Sequence, residues 1–154
     1  AGRALNFYKV LYDGFNQAEQ SDFWNMLSQQ KRTDGAIINF DLAIFESAYK
    51  ANEFGGSISG LRENYYTKDN FLCGLFSAFV DQYASVLNEF NGEGVPVEVI
   101  GTIPKKLRNF CSGLEELIAV PVSLLDGDNE GSLKGLEYLA KEFERSANQS
   151  GYDK

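Results

Sequence analysis

The feature that most constrains the fold is the stretch from Asp69 to Phe90, the longest uninterrupted helix-like pattern in the chain. Its apolar residues fall on two adjacent rows at i, i+4 spacing, which makes an apolar face wider than the stripe of an ordinary surface helix. Thr67 is placed to cap the start, and Asn91 and Gly92 supply a stop signal. We therefore expect a long central helix over 69–90 that packs against partners on more than one side.

Shorter patterns on either side predict further helices. They fall at residues 3–12, 18–31, 42–52, 58–66, 102–118 and 131–145, the one at 58–66 being short. The resulting expectation is a single all-α domain over 1–154, about six helices around the central one, with 146–154 as a polar tail that frays. Two extended segments, near Ile37 and Val97, can pair into a minimal two-stranded ribbon.

Local signals set the ends of these helices. Asp13–Gly14 is expected to close the first helix, and Asn16 with Glu19 forms a capping-box-like start for the second. Thr102 is placed to cap the helix at 102–118, and the segment Val120–Val122, with Pro121 at its centre, cannot continue it.

Charge and composition limit the classes of function. The formal net charge of −8 argues against binding to nucleic acid or to an anionic membrane, because both depend on clustered Lys and Arg. It permits a basic partner or cations, although solubility alone also explains it. We see no signal-peptide pattern and no apolar run long enough to span a bilayer, so a soluble chain is expected, with its compartment left open.

The chain contains no histidine, which removes the commonest general base and the commonest metal ligand. Ser–His–Asp and Cys–His catalysis are excluded, and so are zinc and haem held by histidine. The two cysteines, Cys73 and Cys111, are not in a CxxC pair, so a thiolate zinc site is not expected. They form one disulfide or remain two buried thiols, and the position of Cys73 in the central helix favours thiols.

The most specific motif runs from Asp126 to Glu137. Acidic residues stand at its positions 1, 3 and 5, glycine at 6, an aliphatic residue at 8 and glutamate at 12. This spacing resembles the EF-hand calcium loop, in which a tight turn directs alternate oxygens inward and a distant glutamate completes the shell. The resemblance implies a Ca²⁺ site whose ligands are the carboxylates of Asp126, Asp128, Glu130 and Glu137 and the backbone carbonyl of Ser132.

The motif also departs from that family. Pro121 leaves room for only one helical turn, Val122 to Leu125, before the loop, and the chain has no second loop of this kind. A dockerin-like half-motif, a loop followed by its exiting helix, fits the missing entering helix better. The alternative is an acidic turn that caps the final helix through the helix dipole.

Lys105, Lys106 and Arg108 form a second candidate site. They are predicted in the first turns of a helix, where the dipole disfavours cations unless an anion is bound there. The alternative is three solvated charges.

Carboxylate pairs are a third possibility, Asp41 with Glu46 or Glu115 with Glu116. The Gly-rich segment 55–60 lacks the Lys that a phosphate-binding loop requires, so it is interpreted as a flexible loop.

Three hypotheses about function follow. The first is a non-enzymatic, acidic helical module that acts through a protein partner or by self-assembly. The aromatic pairs Tyr65–Tyr66 and Phe7–Tyr8 are candidate contacts, although core packing accounts for them as well. The second is a calcium-binding domain that uses 126–137 as a structural staple or a sensor. The third is an enzyme that uses a pair of carboxylates. Nothing in the sequence places such a pair over a pocket, so the motifs favour a protein that is not an enzyme.

Overall fold

The structure, a computed structural model, describes residues 2–16, 21–42, 56–90 and 94–125. These ranges contain five α-helices, four short β-strands and a 3₁₀ turn at Glu63–Tyr65. In chain order the elements are α1 (Gly2–Asn16), α2 (Phe23–Gln29), β1 (Asn39–Asp41), β2 (Ser57–Ser59), α3 (Lys68–Phe90), β3 (Val97–Val99), α4 (Thr102–Lys106), α5 (Phe110–Ile118) and β4 (Val122–Leu124). The predicted all-α bundle is therefore wrong, because helices are combined with two small sheets.

Helix α3 is the central element, and it begins one residue before the predicted Asp69. The Thr67 hydroxyl accepts a hydrogen bond from the Asn70 amide at 3.0 Å, which confirms Thr67 as the N-cap. Most of the described residues in the two predicted apolar rows are buried, Tyr83 and Leu87 are half-buried, and the helix contacts α1, α2, α5 and β1. It therefore packs on more than one side, as the wide apolar face predicted.

The two sheets correct the predicted ribbon. The strand after Ile37, β1, pairs antiparallel with β2, with Phe40 opposite Ile58. The strand at Val97, β3, pairs parallel with β4 instead. The two extended segments thus exist but do not pair with each other.

One partner strand lies where a helix was predicted, and the other lies where the sequence left room for one helical turn. Strand β2 replaces the start of the predicted helix at 58–66, where only Glu63–Tyr65 forms a 3₁₀ turn. Its Ser-Ile-Ser alternation fits the period of two residues in a strand, with Ile58 turned inward. Strand β4 replaces the helical turn expected between Pro121 and the calcium-loop motif.

The β1–β2 sheet lies directly on α3 because glycines remove the side chains that would separate them. The Ile38 carbonyl contacts the backbone of Gly74 in α3, where a Cβ atom would overlap it. Gly60, directly after β2, has φ +78° and packs against the Ile37 carbonyl. Phe40 then reaches the core, with its ring centroid 5.3 Å from Tyr8 and 5.0 Å from Phe71.

Helix α1 continues through Asp13–Gly14 to Asn16, so the predicted stop is wrong. Lys9 and Asp13 form an i, i+4 ion pair across this turn, with Nζ and Oδ2 2.5 Å apart. The Asn16 side chain donates to the Tyr12 carbonyl at 2.6 Å, which satisfies an acceptor at the end of the helix.

The second helix is shorter than predicted. It begins at Phe23 and not near residue 18, because Ser21 and Asp22 are not helical, and it ends at Gln29.

The predicted helix 102–118 is two helices, separated by Leu107–Asn109. The cap of α4 is Gly101, and Thr102 is its first residue. In the turn between α4 and α5, the Asn109 side chain donates a hydrogen bond to the Gln30 carbonyl at the end of α2, at 2.9 Å. As predicted, no helix passes Pro121.

Other sequence predictions lie outside the described residues. These are the predicted helix at 131–145, the tail 146–154 and nearly all of the predicted helix at 42–52. In the last of these only Leu42 is described, and it is not helical. In the part of the chain that is described, no helix combines the length and apolarity needed to cross a membrane.

Gly74→Ala tests the contact between α3 and β1. Alanine gains about 1 kcal/mol of helix propensity, but its Cβ overlaps the Ile38 backbone, which cannot move without displacing β1. We expect a net loss of about 2 kcal/mol in the free energy of unfolding, measured by urea denaturation.

Gly113→Ala in α5 is the matched control. Its Cβ would meet side-chain atoms and no backbone, the two methyl groups of Val80 at 3.3 and 3.4 Å and the Arg32 Cβ at 3.8 Å, so stability should stay within about 1 kcal/mol of wild type. Equal effects of the two substitutions would contradict the proposed contact.

Candidate functional site

Aromatic side chains remain accessible where α1 ends and the 3₁₀ turn leads into α3. Phe15 is 54% exposed, Tyr65 is 44% exposed and Tyr66 is half-buried. We call these three residues the aromatic end. Large rings are the side chains that contribute most to protein interfaces, which makes their partial exposure informative.

The rings of the aromatic end are packed against one another and against the core. The Phe15 centroid lies 5.5 Å from Tyr66 in an edge-to-face arrangement. Both rings contact Phe71, at 6.4 and 6.1 Å. Since Phe71 is fully buried in α3, the aromatic end continues the hydrophobic core to the surface.

Hydrogen bonds hold the Tyr66 ring and the backbone of Tyr65 and Tyr66 in position. The Asn16 side chain donates to the Tyr66 hydroxyl at 3.1 Å, and the Asn70 side chain donates to the Tyr65 carbonyl at 2.8 Å. The amides of Tyr65 and Tyr66 both donate to the Arg62 carbonyl, at 2.9 and 3.0 Å. The backbone of Tyr65 and Tyr66 and the rings of Phe15 and Tyr66 are therefore held by contacts within the chain itself.

A charged network lies beneath the aromatic end. The Tyr12 hydroxyl donates to Asp22 Oδ1 at 2.9 Å, and Lys68 Nζ stands 3.7 Å from Asp22 Oδ2. Burial, and then the hydrogen bond to Asp22, raise the pKa of Tyr12 well above its usual range. Burial also raises the pKa of Tyr66, although the bond from Asn16 opposes it. Both phenols therefore stay protonated near neutral pH and serve as hydrogen-bonding groups.

The calcium-loop motif at 126–137 lies outside the described residues, with all five of its predicted ligands. The segment that enters it is described and is a strand, β4, where one turn of helix was expected. The Leu125 amide, directly before Asp126, donates to the Val99 carbonyl at 2.9 Å. The start of the loop is thus fixed to β3.

The three cations of the predicted anion site lie around the short helix α4. Lys105 and Lys106 are the last two residues of this helix, whose five residues make its first and last turns overlap. Lys106 Nζ lies 4.9 Å from the centroid of the Trp24 ring, a cation–π contact. Arg108 follows in the turn before α5. Anion binding at these residues stays an untested prediction.

The carboxylate pairs are not assembled over a shared pocket within the described residues. Glu46 lies outside them, and the Asp41 carboxylate accepts a bond from Gln82 at 3.3 Å. Glu115 and Glu116 are exposed neighbours on α5 and point in different directions. In the described ranges, no group of three Cys, Asp or Glu side chains could hold a metal ion.

Cys73 and Cys111 are free, half-buried thiols, as the position of Cys73 favoured. Cys73 Sγ donates to the Thr33 hydroxyl at 3.4 Å. Burial, and then the Glu115 charge, raise the pKa of the Cys111 thiol, which makes it less reactive.

The sequence identified Tyr65 and Tyr66 as candidate contacts but missed Phe15, because the first helix was expected to stop at Asp13–Gly14.

Comparisons with protein-family models, with curated proteins and with solved structures find no match. Function must therefore be argued from the site itself.

Asp13→Asn should weaken α1 in a pH-dependent way. Bonds from Lys9, and less strongly from Ser21, lower the pKa of Asp13 in the folded protein. A folded-state pKa below the unfolded value stabilises the protein above the unfolded pKa, and this stabilisation is lost as the pH falls through the folded pKa.

We expect the substitution to cost about 0.5 kcal/mol at neutral pH, since the pair is partly solvated, and to cost less well below the ordinary aspartate pKa of about 3.9. Urea denaturation of the wild type and the variant, at neutral pH and well below the ordinary aspartate pKa, measures this difference in the free energy of unfolding. A cost that is constant with pH would show that the Asp13 charge has no role.

Proposed function

We propose that this chain is a protein-binding module that docks its partner on the aromatic end. The observation that carries the proposal is that Phe15 is about half exposed and yet packed on Tyr66 and Phe71. Tyr65, which is 44% exposed, stands beside these rings on a backbone held by Arg62 and Asn70. Preordered rings lose little conformational entropy on binding, so burying them yields more of its hydrophobic free energy as affinity.

The charges around the aromatic end indicate an apolar contact. Arg62 and Lys68 stand beside Glu63 and Asp69 in the same segment, so opposite charges alternate there. Acidic and basic residues nearly balance across the described ranges, and most of the net charge of −8 belongs to the rest of the sequence. A partner of the aromatic end therefore buries rings against apolar side chains, and its affinity should depend weakly on salt.

Binding accounts for this surface better than proton-transfer chemistry does. The chain has no histidine, and the raised pKa values of Tyr12 and Tyr66 keep both phenols neutral.

Tyr65→Ala tests the proposal, because it removes an exposed ring and leaves the backbone carbonyl that Asn70 binds. Proteins from the source cells are captured on immobilised wild-type and variant chains. Truncating a central aromatic anchor costs about 2 kcal/mol, so the variant should bind the wild-type partner about thirtyfold more weakly.

Leu124→Ala is the matched control, since Leu124 is 40% exposed and lies in β4, which pairs with β3. It should retain the partner in full, and so should wild type when the salt concentration is raised. Equal retention by Tyr65→Ala and wild type would contradict docking on the aromatic end.

Calcium binding by 126–137 is a second candidate. What supports it is the spacing of its acidic residues, together with the anchoring of Leu125 to Val99 immediately before the loop. A Ca²⁺ ion held there by Asp126, Asp128, Glu130, Ser132 and Glu137 would staple the end of β4 to the segment that follows.

Thermal melting in EDTA, in calcium and in magnesium tests this candidate. Binding to the native state alone adds about 2.7 kcal/mol at a hundredfold excess of calcium over the dissociation constant, so the melting temperature should rise with calcium only. Asp126→Ala should abolish that rise, and Glu115→Ala, an exposed charge elsewhere, should not. If the melting temperature of the wild type is the same in calcium and in EDTA, the motif does not bind calcium and is only an acidic turn that caps a helix.

A further inference from the structure

Arg32 lines two cavities, one against α3 and one against α5. Its Nε atom binds Asp81 at 2.6 Å and its Nη2 atom binds Asp34 at 2.7 Å. A polar cavity of about 190 Å³ lies between the Arg32–Ala36 segment and α3. A larger cleft of about 330 Å³ lies on the other side, between Lys31–Arg32 and α5. The larger cleft has the volume of a small-ligand pocket.

The two walls of the larger cleft carry opposite hydrogen-bonding character. Lys31 and Arg32 form one wall and can only donate. Arg32 uses two of its five N–H groups in the ion pairs with Asp81 and Asp34, which leaves three. Asp34 and Asp81 already balance the Arg32 charge, so this wall offers an anionic group the Lys31 ammonium together with the remaining Arg32 N–H donors.

The opposite wall is the face of α5 that carries Ser112 and Glu116, four residues apart and hence side by side. The Glu116 carboxylate can only accept hydrogen bonds. The Ser112 hydroxyl donates its proton to the Asn109 carbonyl at 3.0 Å, so its free lone pairs also accept. Between them lies Gly113, where an added Cβ would meet the Val80 methyl groups of α3 and, at 3.8 Å, the Arg32 Cβ, so Arg32 packs close to α5.

Lys31 and Glu116 do not neutralise each other. Both are exposed, and neither forms an ion pair with any residue in the described ranges. A simple anion in the cleft would face Glu116, and a simple cation would face Lys31 and Arg32. A molecule that carries both charges satisfies both walls at once.

We propose that this cleft binds a small zwitterion of the amino-acid class. Its carboxylate accepts from Lys31 and Arg32, and its ammonium group donates to Glu116 and Ser112. This site is separate from the aromatic end. In it Glu116 binds the ligand alone and does not need Glu115, its partner in the carboxylate pair considered above.

Titration followed by amide NMR tests the proposal directly. The probes are glycine, β-alanine and γ-aminobutyrate, which separate the two charges by increasing lengths, with acetate and methylammonium as single-charge controls. We expect saturable shifts of the Ser112 and Gly113 amides with at least one zwitterion, at millimolar affinity, and much weaker shifts with either control. The absence of saturable shifts with all three zwitterions, or equally tight binding of acetate, would overturn the proposal.

Four neutralising substitutions locate the site. Lys31→Gln and Glu116→Gln each remove one charge-assisted interaction, so each should weaken binding of the best zwitterion about tenfold. Glu115→Gln, next to Glu116 but outside the cleft, and Arg108→Gln, an exposed cation in the preceding turn, should leave the affinity unchanged. These are surface charges whose loss is not expected to unfold the chain. Equal weakening by Glu115→Gln and Glu116→Gln would show that the ligand binds elsewhere.

Discussion

The approach of the Ile38 carbonyl to the backbone of Gly74 is the contact on which the arrangement of the described elements depends. Without a side chain at position 74, β1 lies directly on α3, and Phe40 passes between Tyr8 and Phe71. The same helix, one to two turns further on, packs Val80 against Gly113 of α5. A glycine in a helix interior costs stability through backbone entropy, and here the close packing of three elements offsets that cost.

This packing gives the aromatic end its properties. Phe71 is buried by the β1 contact on one side and supports Phe15 and Tyr66 on the other, so surface rings and core rings form one connected cluster. The exposed side chains therefore share the rigidity of α3. The cleft beside Arg32 has a similar origin, because Gly113 allows the Lys31–Arg32 segment to approach α5 and leaves charged groups facing each other across a gap.

Sequence reasoning succeeded where a local signal and the tertiary structure agree. The double apolar row and the Thr67 cap predicted α3 within one residue, and Pro121 ended the helical region as expected. It failed where tertiary contacts override local signals. Ser57–Ser59 is a strand because β1 is available to pair with it, and α1 passes Gly14 because Phe15 has Tyr66 and Phe71 to pack against. The aromatic end was only partly predictable for that reason, and the cleft charges could not be placed together without knowing that α2 ends beside α5.

The most direct test of the account is hydrogen–deuterium exchange of the chain, free and bound to the protein that it captures from its source. The Tyr65 and Tyr66 amides, which donate to Arg62, should already be slow to exchange in the free chain and should become slower in the complex. Peptides over 61–66 should show the largest gain in protection. Gains confined to another surface, such as residues 95–100 and 124, or fast exchange at 65 and 66 in the free chain, would contradict a preordered docking surface at the aromatic end.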